Sequence, residues 1–329
     1  MDFKLDMNLG GQFNKSQKKS FDKNAFYDVL IVGSGPAGLS AALYAKRKGM
    51  RVGVVSNKSG GQVVDTTSVE NYLGIDFETG EGLIEKFMHH VDTLDVPMLK
   101  DVDVKTFEKT DQGFDLVLGR EERLKTKTLI LATGSKPRKL GVKGEDQYLG
   151  KGVAYCAICD GPLFEGRDVV VAGGGNSAVE AAIDLAKIAK TVTLVHRSAF
   201  RADQIIVDKL SDLENVTIHL QTQIEEIVGE QLVSGIVVRD KATNETRTLK
   251  TDGVFVEIGY LPNNQLVEGK LNLNDRGEVI VNALNETSEP GVFAAGDVTD
   301  TPYKQIIVAA SEGAKAALTA NDFVNRGNA

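Results

Sequence analysis

Tyr27-Asp28-Val29-Leu30-Ile31-Val32-Gly33-Ser34-Gly35-Pro36-Ala37-Gly38 is the stretch that decides the fold. Tyr27 to Val32 is a short apolar run of the kind that forms a buried strand, and it stops abruptly at a glycine-rich turn. A helix opens there, with Leu39, Ala42, Leu43 and Ala45 as its apolar positions and Lys46-Arg47-Lys48-Gly49 as a cationic last turn and glycine stop. Arg51 to Val55 is the next strand, which completes a βαβ start about 30 residues long. Each glycine has a mechanical reason: Gly33 makes the tight turn, Gly35 lets the backbone approach a pyrophosphate, and Gly38 lets helix pack on strand. With Pro36 and Ala37 they put the free N–H groups of a helix N-terminus against an anion. The acidic residue expected about 20 positions on, to hold a ribose, is replaced by Ser56-Asn57. Ribose contacts must come from elsewhere.

The same plan recurs. Asp168 to Ala172 is a strand, Gly173-Gly174-Gly175-Asn176-Ser177-Ala178 is the turn in GxGxxA form, a helix runs to about Ala189, and Val192 to Val195 is the following strand. After it stand His196-Arg197-Ser198 and then Arg201, not an acid, and an Arg at that place accommodates a 2′-phosphate, favouring NADPH over NADH. Two such units predict an α/β chain of two doubly wound dinucleotide-binding domains. Thr128 to Gly134 reads as a buried strand and glycine turn, Gly253 to Gly259 and Gly291 to Ala295 as further strands, and Ile306 to Val324 as a closing helix. The chain leaves the first domain near Gly134 and returns near Pro262. The second domain is therefore inserted into the first, with residues 1–138 and 262–329 flanking 139–261.

Composition narrows the function. A chain of 329 residues holds about two domains of ordinary size, and 42% apolar with 26% charged residues is ordinary globular usage, which excludes coiled coil and wholesale disorder. Lys and Arg total 38 against 46 Asp and Glu, a net charge of −8, so no nucleic-acid partner is expected. No apolar stretch approaches the roughly 20 residues of a membrane span. Met1 to Lys23 is polar and Lys-studded without an apolar secretory core, so the expected location is cytoplasmic.

The 2 cysteines form Cys156-Ala157-Ile158-Cys159, followed at once by Asp160. They stand too close to staple a long loop, and their spacing allows a small redox-active disulfide. His89, His90, His196 and His219 show no matching ligand spacing, so no metal is expected. Asp160 is placed to exchange a proton when the disulfide opens.

From Tyr27 onward the chain resembles the low-molecular-weight thioredoxin reductases and the closely related flavoprotein core of alkyl hydroperoxide reductase. The motifs that carry the likeness are, in order, Gly33 to Gly38, Gly60-Gly61-Gln62, Glu70-Asn71-Tyr72, Ala132-Thr133-Gly134, Cys156 to Asp160, Gly173 to Ala178 and Gly296-Asp297. The resemblance implies FAD in the first domain, with Gln62 and Asn71 near the flavin, Asp297 on its ribitol chain and Gln305-Ile306 at the ring, and NADPH or NADH in the second. Tyr155-Cys156 to Phe164 and Pro302 to Ile307 look more like the peroxide-system flavoprotein. That protein carries an additional N-terminal thioredoxin-fold module, whereas about 26 polar residues precede the first strand here, so any such relay is expected to be a separate protein. The reductase pattern HRRDxxRA is incomplete, because Ser198 stands for the second Arg and Arg201 comes one residue early, which leaves NADH open.

What the resemblance implies is an electron path from NAD(P)H through FAD and the Cys156-Cys159 disulfide to a thioredoxin-like protein, with Cys159 as the flavin-facing sulfur and Cys156 as the attacking thiolate. It also implies a homodimer, and two domains that rotate about crossings near Gly134 to Lys139 and Gly259 to Pro262. Two alternatives stand beside it: reduction of a separate glutaredoxin-like or peroxiredoxin-system partner, and a non-catalytic nucleotide-binding redox sensor.

Overall fold

A computed structural model describes residues 20–66, 69–119 and 121–327. Most of the polar N-terminal extension, residues 1–19, lies outside them. The described chain opens with β1 (Phe26–Ser34), α1 (Pro36–Arg47) and β2 (Val52–Ser59). Helix α2 (Gly80–Asp92) and a short β3 (Met98–Leu99) follow, then β4 (Val104–Thr110), β5 (Gly113–Leu118) and β6 (Arg123–Leu131). After β7 (Ser135–Pro137) come β8 (Val153–Ala154), α3 (Ala157–Asp160), β9 (Asp168–Ala172), α4 (Asn176–Ala186), β10 (Thr191–Val195), α5 (Gln204–Ser211) and β11 (Val216–His219). An antiparallel layer, β12 (Thr222–Gly229), β13 (Val233–Asp240) and β14 (Thr246–Lys250), precedes β15 (Gly253–Val256), β16 (Tyr260–Pro262), β17 (Val292–Ala294) and α6 (Ile306–Arg326).

Two Rossmann-like sheets result. The first runs β3-β2-β1-β6-β5-β4, and β17 pairs with the last residues of β6; the second runs β11-β10-β9-β15-β8. Every pair in the second is parallel, as are β3, β2, β1, β6 and β17 in the first. Parallel strands need both faces covered, which is why their sequences read as unbroken apolar runs. Val29 and Ile31 pack into the layer of α1 and α6, while Leu30 and Val32 face the opposite cluster with Phe114 and Leu116. In β9, Val169 and Val171 meet α4, and Val170 and Ala172 meet Ile224, Ile227 and Ile236 of the antiparallel layer. Each fully buried Val, Leu, Ile or Phe among them contributes about 1.5–3 kcal/mol.

β6 begins five residues earlier than the apolar run at Thr128 predicts, because Arg123–Thr126 pair antiparallel with β5. There Leu124 and Thr126 are buried while Arg123 and Lys125 are exposed, a two-residue period that an unbroken apolar run does not display. The chain crosses between the sheets twice, and the crossings pair with each other: Tyr260, Leu261 and Pro262 of β16 lie antiparallel to Pro137, Lys136 and Ser135 of β7. Asn263 N donates to the Gly134 carbonyl at 2.9 Å, and its Nδ2 to the Thr133 carbonyl at 2.8 Å. No helix among the described residues is long and apolar enough to cross a membrane.

Helices α1 and α6 touch along small residues, Ala37, Ala41 and Ala45 against Ala309, Ala316 and Ala320. At their closest point a Cβ on Gly313 would overlap the Ala37 carbonyl. Gly313→Val is therefore expected to destabilise the chain by about 1–3 kcal/mol through overpacking. Gly327→Val, at the open end of α6, should stay within about 0.5 kcal/mol of wild type. Urea denaturation of both variants measures the difference, and equal midpoints would contradict it.

Candidate functional site

The parallel strands of the first sheet all end on one side, where the loops that leave them enclose a cleft of ≈ 920 Å³. Gly33, Gly35, Pro36 and Ala37 form one wall, Ala132 and Gly134 follow β6, and Gly296 and Asp297 follow β17. Gln62, Asn71, Gln305 and Ile306 line the same space. Gly38 does not reach it; it is buried where α1 packs on the turn. Gln62 Nε2 donates to Asp297 Oδ2 and to Ser135 Oγ, each at 3.2 Å, and Asn71 Nδ2 donates to Gln305 Oε1 at 3.3 Å. Burial raises the Asp297 carboxyl above its usual range, the Lys304 charge opposes this, and the Glu312 charge adds to it.

The cleft fits a dinucleotide with a flavin end. Gly33 has φ of +111°, and a Cβ there would overlap the Ala132 carbonyl, so only glycine makes this turn. Helix α1 is capped by Gly35 without a side-chain bond, and α6 is likewise uncapped at Gln305; neither has an acid in its first turn. Two helix N-termini thus open into one cleft with unfilled N–H donors, the arrangement that receives anionic or carbonyl oxygens.

At the ends of the second sheet, Gly175 caps α4 without a side-chain bond, and a Cβ there would meet nothing within 4 Å, leaving room for a phosphate. Ala178 is buried beneath the turn, whereas Ser177 is exposed. Asn176 is tied to the start of α5: its Nδ2 donates to Asp203 Oδ2 and its Oδ1 accepts from Asp203 N, both at 2.9 Å. Arg201 N donates to the Gly174 carbonyl at 2.8 Å, which holds that arginine beside the turn, and Arg197 is exposed nearby. His196 is buried, and desolvation, with Arg201 and Arg197 adding their charges, depresses its pKa. The neutral imidazole packs under Gly174 and leaves positive charge to the two arginines.

Cys156 and Cys159 are joined as a disulfide, with Cα atoms 5.3 Å apart, on a short turn that follows β8. The pair and Asp160 line the first cleft, together with Gly33 and Asp297, although their backbone belongs to the second sheet. Cys159 N donates to Cys156 Sγ at 3.2 Å. Tyr155 Oη donates to the buried Glu145 at 3.0 Å, and Tyr260 Oη donates to the Tyr155 carbonyl at 2.8 Å, so the loop entering the turn is clamped from two sides. Burial pushes the Asp160 carboxyl up to about 6.

Glu257 escaped the reading of the sequence. It is the residue after β15, and because β15 lies between β9 and β8 its carboxylate is brought to the disulfide turn, accepting from Ala157 N at 3.2 Å. Burial pushes it up to about 7, with the Ala157 bond pulling the other way. The available signal was an acid immediately after the apolar run Val254-Phe255-Val256, at the carboxyl end of a parallel strand. Ser56 and Asn57 sit where an acid was expected, and Asn57 Nδ2 is bonded to the carboxylate of Asp103, which lines the cleft from β4's approach.

The pyridine nucleotide-disulphide oxidoreductase family matches residues 27–313. The F subunit of alkyl hydroperoxide reductase in Staphylococcus aureus is 46% identical over 307 residues, 93% of this chain and 61% of that protein. The Staphylococcus epidermidis protein of the same name is 46% identical over 301 residues, 91% of this chain and 59% of its own length. The chain thus spans about three-fifths of the curated relatives it matches. Among solved structures, thioredoxin reductase from Streptococcus pyogenes superposes with a TM-score of 0.87 at 36% identity, covering 92% of this chain and 99% of that one. Thioredoxin reductase from Lactococcus lactis in its FR conformation gives 0.64 at 33% identity, covering 91% and 99%.

The raised Asp160 pKa makes stability depend on pH. Between the ordinary value of 3.8 and about 6 the folded chain keeps a proton that the unfolded chain has released. Stability therefore falls as pH rises through that window, and the loss persists above it. Asp160→Asn removes the penalty, so the oxidised variant should melt a few degrees above wild type near pH 7.5, a gain on the order of 2 kcal/mol, and together with it near pH 4. Thermal unfolding at the two pH values decides; superimposable curves at both would contradict the assignment.

Proposed function

The chain belongs to the pyridine nucleotide-disulphide oxidoreductase family, and from that membership we propose that it is an FAD-dependent disulfide reductase of the thioredoxin reductase type. It moves electrons from NAD(P)H through FAD and the Cys156–Cys159 disulfide to a thioredoxin-like protein. One observation carries the reading: a disulfide whose backbone belongs to one dinucleotide-type sheet lines the cleft at the ends of the other. In this reading residues 1–138 and 262–329 form the FAD domain, and residues 139–261 form the NAD(P)H domain.

FAD, when bound, supplies hydride acceptance and two-electron transfer to a disulfide. The chain's residues supply the rest. The turn from Gly33 to Ala37 and the N-terminus of α1 would hold the pyrophosphate, and Asp297, Gln62 and the N–H groups at Gln305-Ile306 would hold the flavin end. The turn from Gly173 to Ala178, with Asn176 bracing the 203 loop, would receive NAD(P)H. His196 shapes that floor, and Arg197 and Arg201 favour a 2′-phosphate. Opening the Cys156–Cys159 bond takes two electrons and two protons. Cys156, as thiolate, then attacks the partner's disulfide to form a mixed disulfide, Cys159 displaces it, and the partner leaves with two thiols while the internal disulfide is restored. Asp160, its carboxyl pushed up to about 6 by burial, gives and takes the proton at the sulfur.

The disulfide cannot sit in the first cleft and touch a protein partner at once, so the two domains must rotate about the paired crossings β7 and β16. The fall in TM-score from 0.87 to 0.64 between two reductases of similar identity and coverage supports a shared fold whose halves take different relative positions. A second reading, reduction of a glutaredoxin-like or peroxiredoxin-system protein, is favoured by the 46% identity to the F subunit of alkyl hydroperoxide reductase. A homodimer in the cytoplasm is the proposed form, in keeping with 2 cysteines spent on one redox pair.

Anaerobic stopped-flow reduction by NADPH and by NADH, followed by addition of thioredoxin-fold proteins, tests the reading on the flavin absorption band. Rapid bleaching by at least one nucleotide and reoxidation by a disulfide protein are expected. Cys156→Ser and Cys159→Ser should each abolish disulfide turnover with the flavin retained, and unchanged turnover in either would refute it. Cross-linking the crossings at residues 134–139 and 259–262 should slow turnover and leave FAD bound; a locked protein with wild-type turnover would overturn the rotation.

A further inference from the structure

The first dinucleotide unit lacks its ribose acid: β2 reaches Ser56-Asn57 where an Asp or Glu is expected. The tertiary structure brings a carboxylate to that place from the segment that precedes β4. Val102 N donates to the Ser56 carbonyl at 3.2 Å and so docks the segment before β4 on the carboxyl end of β2. Gly119 N donates to the Asp103 carbonyl at 2.9 Å and fixes the segment from its other side. Asp103 Oδ1 then accepts from Asn57 Nδ2. Asn57 and Asp103 both line the cleft, as do Gly35 and Pro36.

We propose that Asp103, oriented by Asn57, is the residue that binds the adenosine ribose of the dinucleotide held in this cleft. The acid has moved from the second strand to the segment preceding β4, and an amide has taken its old position as a positioning residue. The chemistry is that of a carboxylate accepting from vicinal hydroxyls, a charge-assisted hydrogen bond and one of the stronger polar contacts available at a partly exposed edge. Lys58, the nearest cation in sequence to Asn57, is engaged with Asp65 at 2.7 Å, which leaves the Asn57–Asp103 pair to define the polar edge beside it. The inference rests on the FAD reading proposed above and goes beyond it by assigning the ribose end of the ligand.

The test measures binding, not turnover. Apoprotein is titrated with FAD and with an FAD analogue whose adenosine ribose lacks its 2′- and 3′-hydroxyls, and flavin fluorescence reports affinity. Wild type should prefer FAD by about 10- to 100-fold, the worth of one hydrogen bond to a charged group. Asp103→Ala should bind both ligands with the affinity wild type shows for the analogue. The exchange Asn57→Asp with Asp103→Asn, which returns the acid to β2 and keeps the amide–carboxylate pair, should restore the preference. Asp103→Ala that still discriminates as wild type does, or that weakens both ligands equally, overturns the proposal. Wild-type apoprotein that bound neither flavin would sink the FAD reading itself, and this proposal with it.

Discussion

Parallel strands buried on both faces have only their carboxyl ends available for chemistry, and this chain depends on that constraint twice. Val29 to Val32 and Val169 to Ala172 have no side chain left over, since alternate residues belong to opposite clusters of the core. Whatever binds must do so in the loops that follow, where glycine turns and uncapped helix ends leave backbone donors unsatisfied. The first sheet's loops enclose the large cleft; the second sheet's loops carry the other glycine turn, the disulfide and Glu257.

The disulfide turn is where the two sets meet, and buried carboxyls surround it. Asp160 and Glu257 are both raised towards neutrality, chiefly by burial, and Asp297 is raised across the cleft for the same reason. Carboxyls in such a place exchange protons near physiological pH, whereas exposed ones have already lost theirs. Tyr155 and Tyr260 confine the loop that carries the pair, through Glu145 on one side and the Tyr155 carbonyl on the other. The turn is thus held both by Glu145 and by Tyr260 of the β16 crossing, so in the proposed cycle it would travel with them.

The crossings are the elements about which the proposed rotation would turn. Six residues in two short strands, Ser135–Pro137 and Tyr260–Pro262, form a ribbon separate from both sheets. A ribbon that small bends without breaking either core, and the Thr133–Asn263 bonds tie its root to the first sheet.

Much of the fold was legible because local physics settled it. The apolar runs at Tyr27–Val32 and Asp168–Ala172, the glycine turns behind them and the long closing helix all follow from periodicity and turn chemistry within some 30 residues of chain. So does the redox pair, since two cysteines three positions apart need no fold to bring them together. The start of β6, the ribbon of β7 with β16, and the arrival of Glu257 at Ala157 and Asp103 at Asn57 were not legible. Those depend on which strands lie side by side, and strand order is decided by packing between segments that can stand more than 100 positions apart, where no local pattern of residues carries the information. Sequence alone determined which chemical groups the protein has; the tertiary structure alone decided which of them meet, because a carboxylate acquires its partner and its proton affinity only from the neighbours that folding places around it.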